Sequence, residues 1–158
     1  MTQPLSAISN FLWARIGVEV RPRSYEVEKT GCRMFARAVG YTDPIFYDEE
    51  YAKGKGYRSI PAPPGFLGHR VYMPEHPSAE GSEGRPEMPF HRGLNGGTDI
   101  EYFGTVCAGD VLTVTGMPVA EVEERQGRQG PMVIMTSRYT YRRGDQVVAI
   151  LRTALIFY

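Results

Sequence analysis

The spacing of apolar positions changes character part-way along the chain. Leu5, Ile8, Leu12 and Ile16 recur at helical intervals and predict a short amphipathic helix within an extension over residues 1–20. Residues 24–29, SYEVEK, alternate in polarity and predict a strand. Residues 31–40, GCRMFARAVG, return to helical spacing, with Cys32, Phe35 and Val39 on one face and Gly40 suited to end the helix with a positive φ. YDEEYAKGKG (47–56) predicts a second short helix, with acids in its first turn and lysines near its end, as the helix dipole favours. SIPAPPGFLGHRVYM (59–73) places Phe66, His69 or Arg70, and Met73 at helical spacing behind a proline cluster. Because prolines are tolerated at a helix entry, a helix is expected to start near Pro64. Residues 74–93 hold four prolines and three glycines and predict a long loop.

From residue 94 the grammar is that of strands. LNGGTDIEYFG, DVLTVTGMPVAEVEER, GPMVIMTSRYTYRR and DQVVAILRTALIFY are separated by short glycine-containing turns. Pro118 predicts a bulge or an edge within the long second segment. The last segment is apolar on both faces and predicts a strand covered on both sides, one cover being this chain and the other a second subunit. The order predicts an α+β fold in one domain over residues 1–158: an antiparallel sheet with helices on one face.

Composition narrows the function classes. The 158 residues carry 18 basic and 18 acidic side chains and no formal net charge, so no bulk attraction to nucleic acid or anionic membrane is expected. No apolar run is long enough to span a bilayer and the first residues lack a basic leader, so a cytoplasmic protein is expected. The two cysteines, Cys32 and Cys107, are too far apart and too few for a metal site and predict buried thiols. His69, His76 and His91 have no metal-ligand spacing with acids.

Three stretches, DPIFYDEEYAKGKGY, IPAPPGF and IEYFGTVCAGDVL, occur in an order and spacing that resembles the MaoC-type (R)-specific enoyl-CoA hydratases and 3-hydroxyacyl dehydratases. The likeness is to the N-terminal-type, substrate-binding half of two-part members. It implies a single hot-dog fold, in which an antiparallel sheet wraps a central helix. In active members Gly-Asp-x-Asn-Pro-(Leu/Ile)-His supplies an Asp/His dyad that holds and deprotonates water. Laid without gaps on this chain, Gly40 takes the Gly, Tyr41 the Asp, Asp43 the Asn, Pro44 the Pro and Phe46 the His. Pro63 and Pro64 fall on the family's His-Gly pair, whose Gly N–H meets the thioester oxygen, and proline has no N–H. A register shifted by one would make Gly65 that donor.

The implied site is therefore degenerate at the two dyad positions, Tyr41 and Phe46, and at the donor position, Pro64. Tyrosine, with a pKa near 10, is no carboxylate base at neutral pH, and phenylalanine transfers no proton. Asp43 and His91 are the remaining candidates for acid–base work, Asp43 with an Asx-turn role as its alternative. Tyr41, Asp43, Phe46, Tyr47, Tyr57, Pro63, Gly65, Phe66 and His69 are the candidate substrate-binding residues, because aromatic and apolar walls suit an acyl group. Lys53, Lys55 and Arg58 offer either a phosphate contact or a solvated basic edge. The resemblance implies no cofactor, coenzyme A or acyl carrier protein as the carrier of an acyl thioester, and a second hot-dog subunit or a second copy as partner. A stand-alone hydratase, dehydratase or thioesterase using Asp43 or His91, and a non-catalytic acyl-binding module, are the alternatives.

Overall fold

The structure, a computed structural model, describes residues 10–69, 92–128 and 130–158. Leu5, Ile8, His76, His91 and the loop predicted over 74–93, apart from its last two residues, lie outside the described residues, as do positions 70–73 of the helix expected after Pro64.

Five strands form one antiparallel sheet. They are β1 (Val20–Glu26), β2 (Gly93–Tyr102), β3 (Val111–Gly127), β4 (Gly130–Arg143) and β5 (Gln146–Phe157), in the order β1-β3-β4-β5-β2. The α+β architecture and the strand-rich second half are as the polarity pattern predicts. Pro118 lies in the register irregularity between Met117 and Glu121, and its carbonyl accepts from the Ser137 hydroxyl at 2.7 Å. LNGG begins the edge strand β2 with a bulge between Asn95 and Gly97, closed by Gly97 N–H donating to the Asn95 side chain at 2.9 Å.

Among the described residues, two helices lie between β1 and β2. Helix α1 (Lys29–Ala38) buries Cys32 and Ala36, and α2 (Glu49–Gly54) buries Ala52. Both end in the same way. After α1, Gly40 at φ 78° donates to Arg37 O and Tyr41 N–H donates to Ala36 O. After α2, Gly56 at φ 90° donates to Lys53 O and Tyr57 N–H donates to Ala52 O. These are paired Schellman closures, and each needs the left-handed conformation that glycine adopts without a Cβ penalty. The Glu49 carboxylate accepts from Lys29 and from the Ser59 hydroxyl, which lowers its pKa to about 2 and ties α2 to the start of α1.

The helix expected from Pro64 is absent through His69. Pro63–Phe66 is instead a type II β-turn: Pro64 occupies its second position, Gly65 its third at φ 91°, and Phe66 N–H donates to Pro63 O at 2.9 Å. Gly68 is also left-handed, at φ 84°. A right-handed helix admits neither torsion, so the prolines open a turn where a helix entry was expected. The N-terminal expectation is corrected in part. A single helical turn at 10–13 buries Leu12 against Val119 and Val133, but Ile16 falls beyond it and is exposed.

The main core lies between the sheet and α1. Ile60, Phe66, Leu67, Val106, Leu112 and Val148 are buried there with Cys32 and Val27. Residues 59–62 run through it, bonded to the β2–β3 connection by Ala62 N–H to Val106 O and Ala108 N–H to Ile60 O, both 2.8 Å. Cys32 and Cys107 are free, buried thiols, and burial pushes Cys32 up to about 11, with Cys107 adding to the rise.

One buried carboxylate joins three of these segments. Asp110, 5% exposed, accepts from both terminal nitrogens of Arg58 at 2.6 and 2.8 Å, from Arg143 at 3.0 Å and from Cys107 N–H at 2.9 Å. Burial alone would raise its pKa, but these four donors outweigh that and hold it below 3.8. Arg58 is thus paired with Asp110.

Asp110→Ala should cost about 2–3 kcal/mol in urea denaturation, less than for a fully buried pair because Arg58 is half exposed. Because the folded pKa is depressed, the wild-type carboxylate contributes fully above the unfolded value and loses its contribution as pH falls through the lower folded one. The stability difference between wild type and variant should therefore shrink on acidification below pH 3.8.

Candidate functional site

The segment joining α1 to α2 carries Tyr41 and Phe46, the residues that the resemblance sets against the Asp/His dyad. The α1 closure delivers Tyr41, and a 3₁₀ turn, Pro44–Phe46, delivers Phe46. Their rings stack with centroids 5.4 Å apart and planes 24° from parallel. The Tyr47 hydroxyl donates to Tyr41 O, and Arg33 donates to Tyr47 O through two nitrogens at 3.0 and 2.8 Å. A stacked aromatic pair therefore stands at the two positions matched to the Asp/His dyad. Asp43 caps the 3₁₀ turn, its Oδ1 accepting from Ile45 N–H at 2.9 Å. That is the Asx-turn alternative.

A cavity of about 560 Å³ opens beside this segment. Its wall includes Ile45 and Phe46 from the 3₁₀ turn, Tyr57 from the α2 closure, Pro64 from the type II turn, and Tyr102 and Phe103 from the end of β2. Among the described residues that line it none is an acid, a lysine, an arginine or a histidine. Its polar side chains are the hydroxyls of Tyr57, Tyr102 and Thr105. Such a wall accommodates an apolar group and a few directed hydrogen bonds, and supplies no base for water.

The structure divides the expected binding residues. Phe46, Tyr57 and Pro64 meet at this cavity. Gly65 reaches it indirectly, its N–H donating to the Tyr102 hydroxyl at 2.9 Å. Tyr41 and Tyr47 brace the segment behind Phe46. Pro63 and Phe66 belong to the core, where Phe66 meets the Phe35 ring at 5.2 Å. His69 is exposed, lies edge-on to Phe66 and borders a separate cavity of about 320 Å³ with Tyr25, Tyr139 and Tyr141. Tyr102 and Phe103 were not among the expected binding residues. Two adjacent aromatics at a strand end in IEYFG were the available signal. Lys53 pairs with Glu49 and Glu50, and Lys55 lies over the Tyr51 ring. Among the described residues no group of His, Cys, Asp and Glu is placed to hold a metal ion, and no helix is long and apolar enough to cross a membrane.

The profile of the "FAS1-like, dehydratase domain region" family matches residues 14–151, most of the chain. The chain belongs to this dehydratase family. A UPF0336 protein of Streptomyces griseus is 37% identical to the dehydratase-family chain over 95 residues, 58% of this chain and 60% of that protein. The matched stretch thus spans under two thirds of that relative's length. Among solved structures, the ChsH1-ChsH2 complex from Mycobacterium tuberculosis is similar with a TM-score of 0.72 and 16% identity, covering 98% of this chain and 93% of that one. The C-terminally truncated HadBC (3R-hydroxyacyl-ACP dehydratase) complex from the same organism is similar with a TM-score of 0.64 and 23% identity, covering 90% and 96%. A MaoC-like dehydratase from Rhodospirillum rubrum gives 0.55 and 18%, covering 90% and 92%. These likenesses show the fold: the dehydratase-family chain has the hot-dog fold of these proteins.

Asp43→Ala should lower stability by about 0.5–1 kcal/mol, the value of a surface cap, and leave the affinity for an acyl-CoA unchanged in calorimetric titration. A loss of affinity without a loss of stability would assign Asp43 to the site.

Proposed function

We propose that this chain is the substrate-binding subunit of a heteromeric MaoC-type hydratase or dehydratase, in which a partner hot-dog subunit supplies the Asp/His dyad. One observation carries this reading. The cavity is kept, while Tyr41 and Phe46 stack on one another at the positions matched to the proton-transfer groups. Hydration of an enoyl thioester needs a base for water, an acid for the α-carbon and a donor for the enolate oxygen. Asp43 is occupied as a cap and the Gly65 N–H by Tyr102. The wall fits the acyl portion of a coenzyme A or acyl-carrier-protein thioester, and no cofactor is invoked.

The sheet offers a place for the partner. Among the described residues strand β2 pairs only with β5, lies at the sheet edge and is exposed along nearly its whole length. An open edge of ten residues is a template for another strand, and a second hot-dog sheet can continue it. Two of the similar structures are complexes by their own description, which supports a partner of the same fold.

The test is crotonyl-CoA hydration by the purified chain alone, and again after co-expression with a hot-dog protein of the same genome that carries an intact Asp-x-Asn-Pro-x-His segment. The chain alone should be slower than the pair by about 10²–10⁴-fold or more, the usual contribution of positioned acid–base groups. Hydration by the chain alone at the rate of the pair would overturn the reading.

A further inference from the structure

The cavity has three hydroxyl side chains among its described lining, and one of them is anchored by the backbone. Tyr102 is the last residue of β2, paired with Ala149 of β5, and its phenol oxygen accepts the Gly65 N–H at 2.9 Å. Gly65 is itself held at φ 91° by the type II turn, so the N–H that fixes the phenol is rigidly placed. Tyr57 has no such anchor among the described residues.

We propose that the Tyr102 hydroxyl is the group that positions the acyl carbonyl in this cavity. The inference rests on the acyl-binding reading above and goes beyond it by naming the donor. A phenol that accepts a hydrogen bond keeps its own proton to donate, and accepting one polarises the O–H and strengthens the bond it gives. A thioester carbonyl only accepts, so it takes that proton. Gly65 N–H, which is spent on the phenol, acts on the substrate oxygen through Tyr102. Tyr102 is 44% exposed and lines the cavity together with Phe46 and Phe103, so its hydroxyl is the anchored donor of a wall whose aromatic rings hold the chain of the acyl group. No covalent step is involved; Tyr102 is a substrate-positioning residue.

The test compares two probes by calorimetric titration of the full chain: butyryl-CoA, a thioester, and S-butyl-CoA, the thioether without the carbonyl. Wild type should prefer the thioester. Tyr102→Phe should weaken thioester binding by roughly 3- to 10-fold, the worth of one neutral hydrogen bond, and leave the thioether affinity unchanged. The unchanged thioether affinity also reports that the variant is folded. A preference that survives in Tyr102→Phe, or no preference in wild type, overturns the assignment of Tyr102 while the acyl-binding reading stands. If wild type binds neither probe, alone or with the dyad-bearing partner, both are overturned.

Discussion

The buried Asp110 carboxylate is the constraint on which the arrangement of the cavity depends. Its donors come from three places far apart in sequence: Arg58 before the core segment 59–62, Cys107 in the β2–β3 connection and Arg143 at the β4–β5 hairpin. A carboxylate that is 5% exposed is costly unless its lone pairs are met, and here four hydrogen bonds meet them. Satisfying that one charge brings the Pro-rich segment, the end of β2 and the hairpin into a fixed relation. Pro64 and Tyr102, on two of those segments, then face the same space.

The turns between elements place the aromatic side chains. Both short helices end with a glycine in the left-handed region followed by a tyrosine, which puts Tyr41 behind the dyad segment and Tyr57 on the cavity wall. The Pro64–Gly65 turn points a backbone N–H toward Tyr102. What results is a cavity with apolar walls and neutral hydroxyls beside a segment in which Tyr41 and Phe46 stack. Binding and proton transfer are chemically separable tasks, since holding an acyl chain needs apolar area and directed donors while activating water needs a group that changes protonation state. The described wall of this chain is equipped for the first.

Much of this was legible in the residues, for reasons that can be stated. Period-two alternation reports a sheet face directly, so the strands after residue 94 and the irregularity at Pro118 could be read without coordinates. Gly40 ending α1 and Asp43 capping before Pro44 follow from local torsional preferences. The Pro64 segment was misread because proline is compatible with two local structures, a helix entry and the second position of a β-turn. The neighbouring Gly65 was the signal for the turn, since a left-handed glycine fits a type II turn and not a helix.

Local chemistry in the sequence thus determined the fold class, the helix ends that glycines close, and the burial of both thiols. Only the tertiary structure decided which aromatics line the cavity and which fill the core, because Phe46 and Phe66 are chemically the same and differ only in what packs over them. It also decided that Arg58 meets Asp110 and that Gly65 meets Tyr102, pairs separated by 52 and 37 residues. Side-chain type sets what a residue can do, but contacts at such separation exist only once the sheet has brought their segments together.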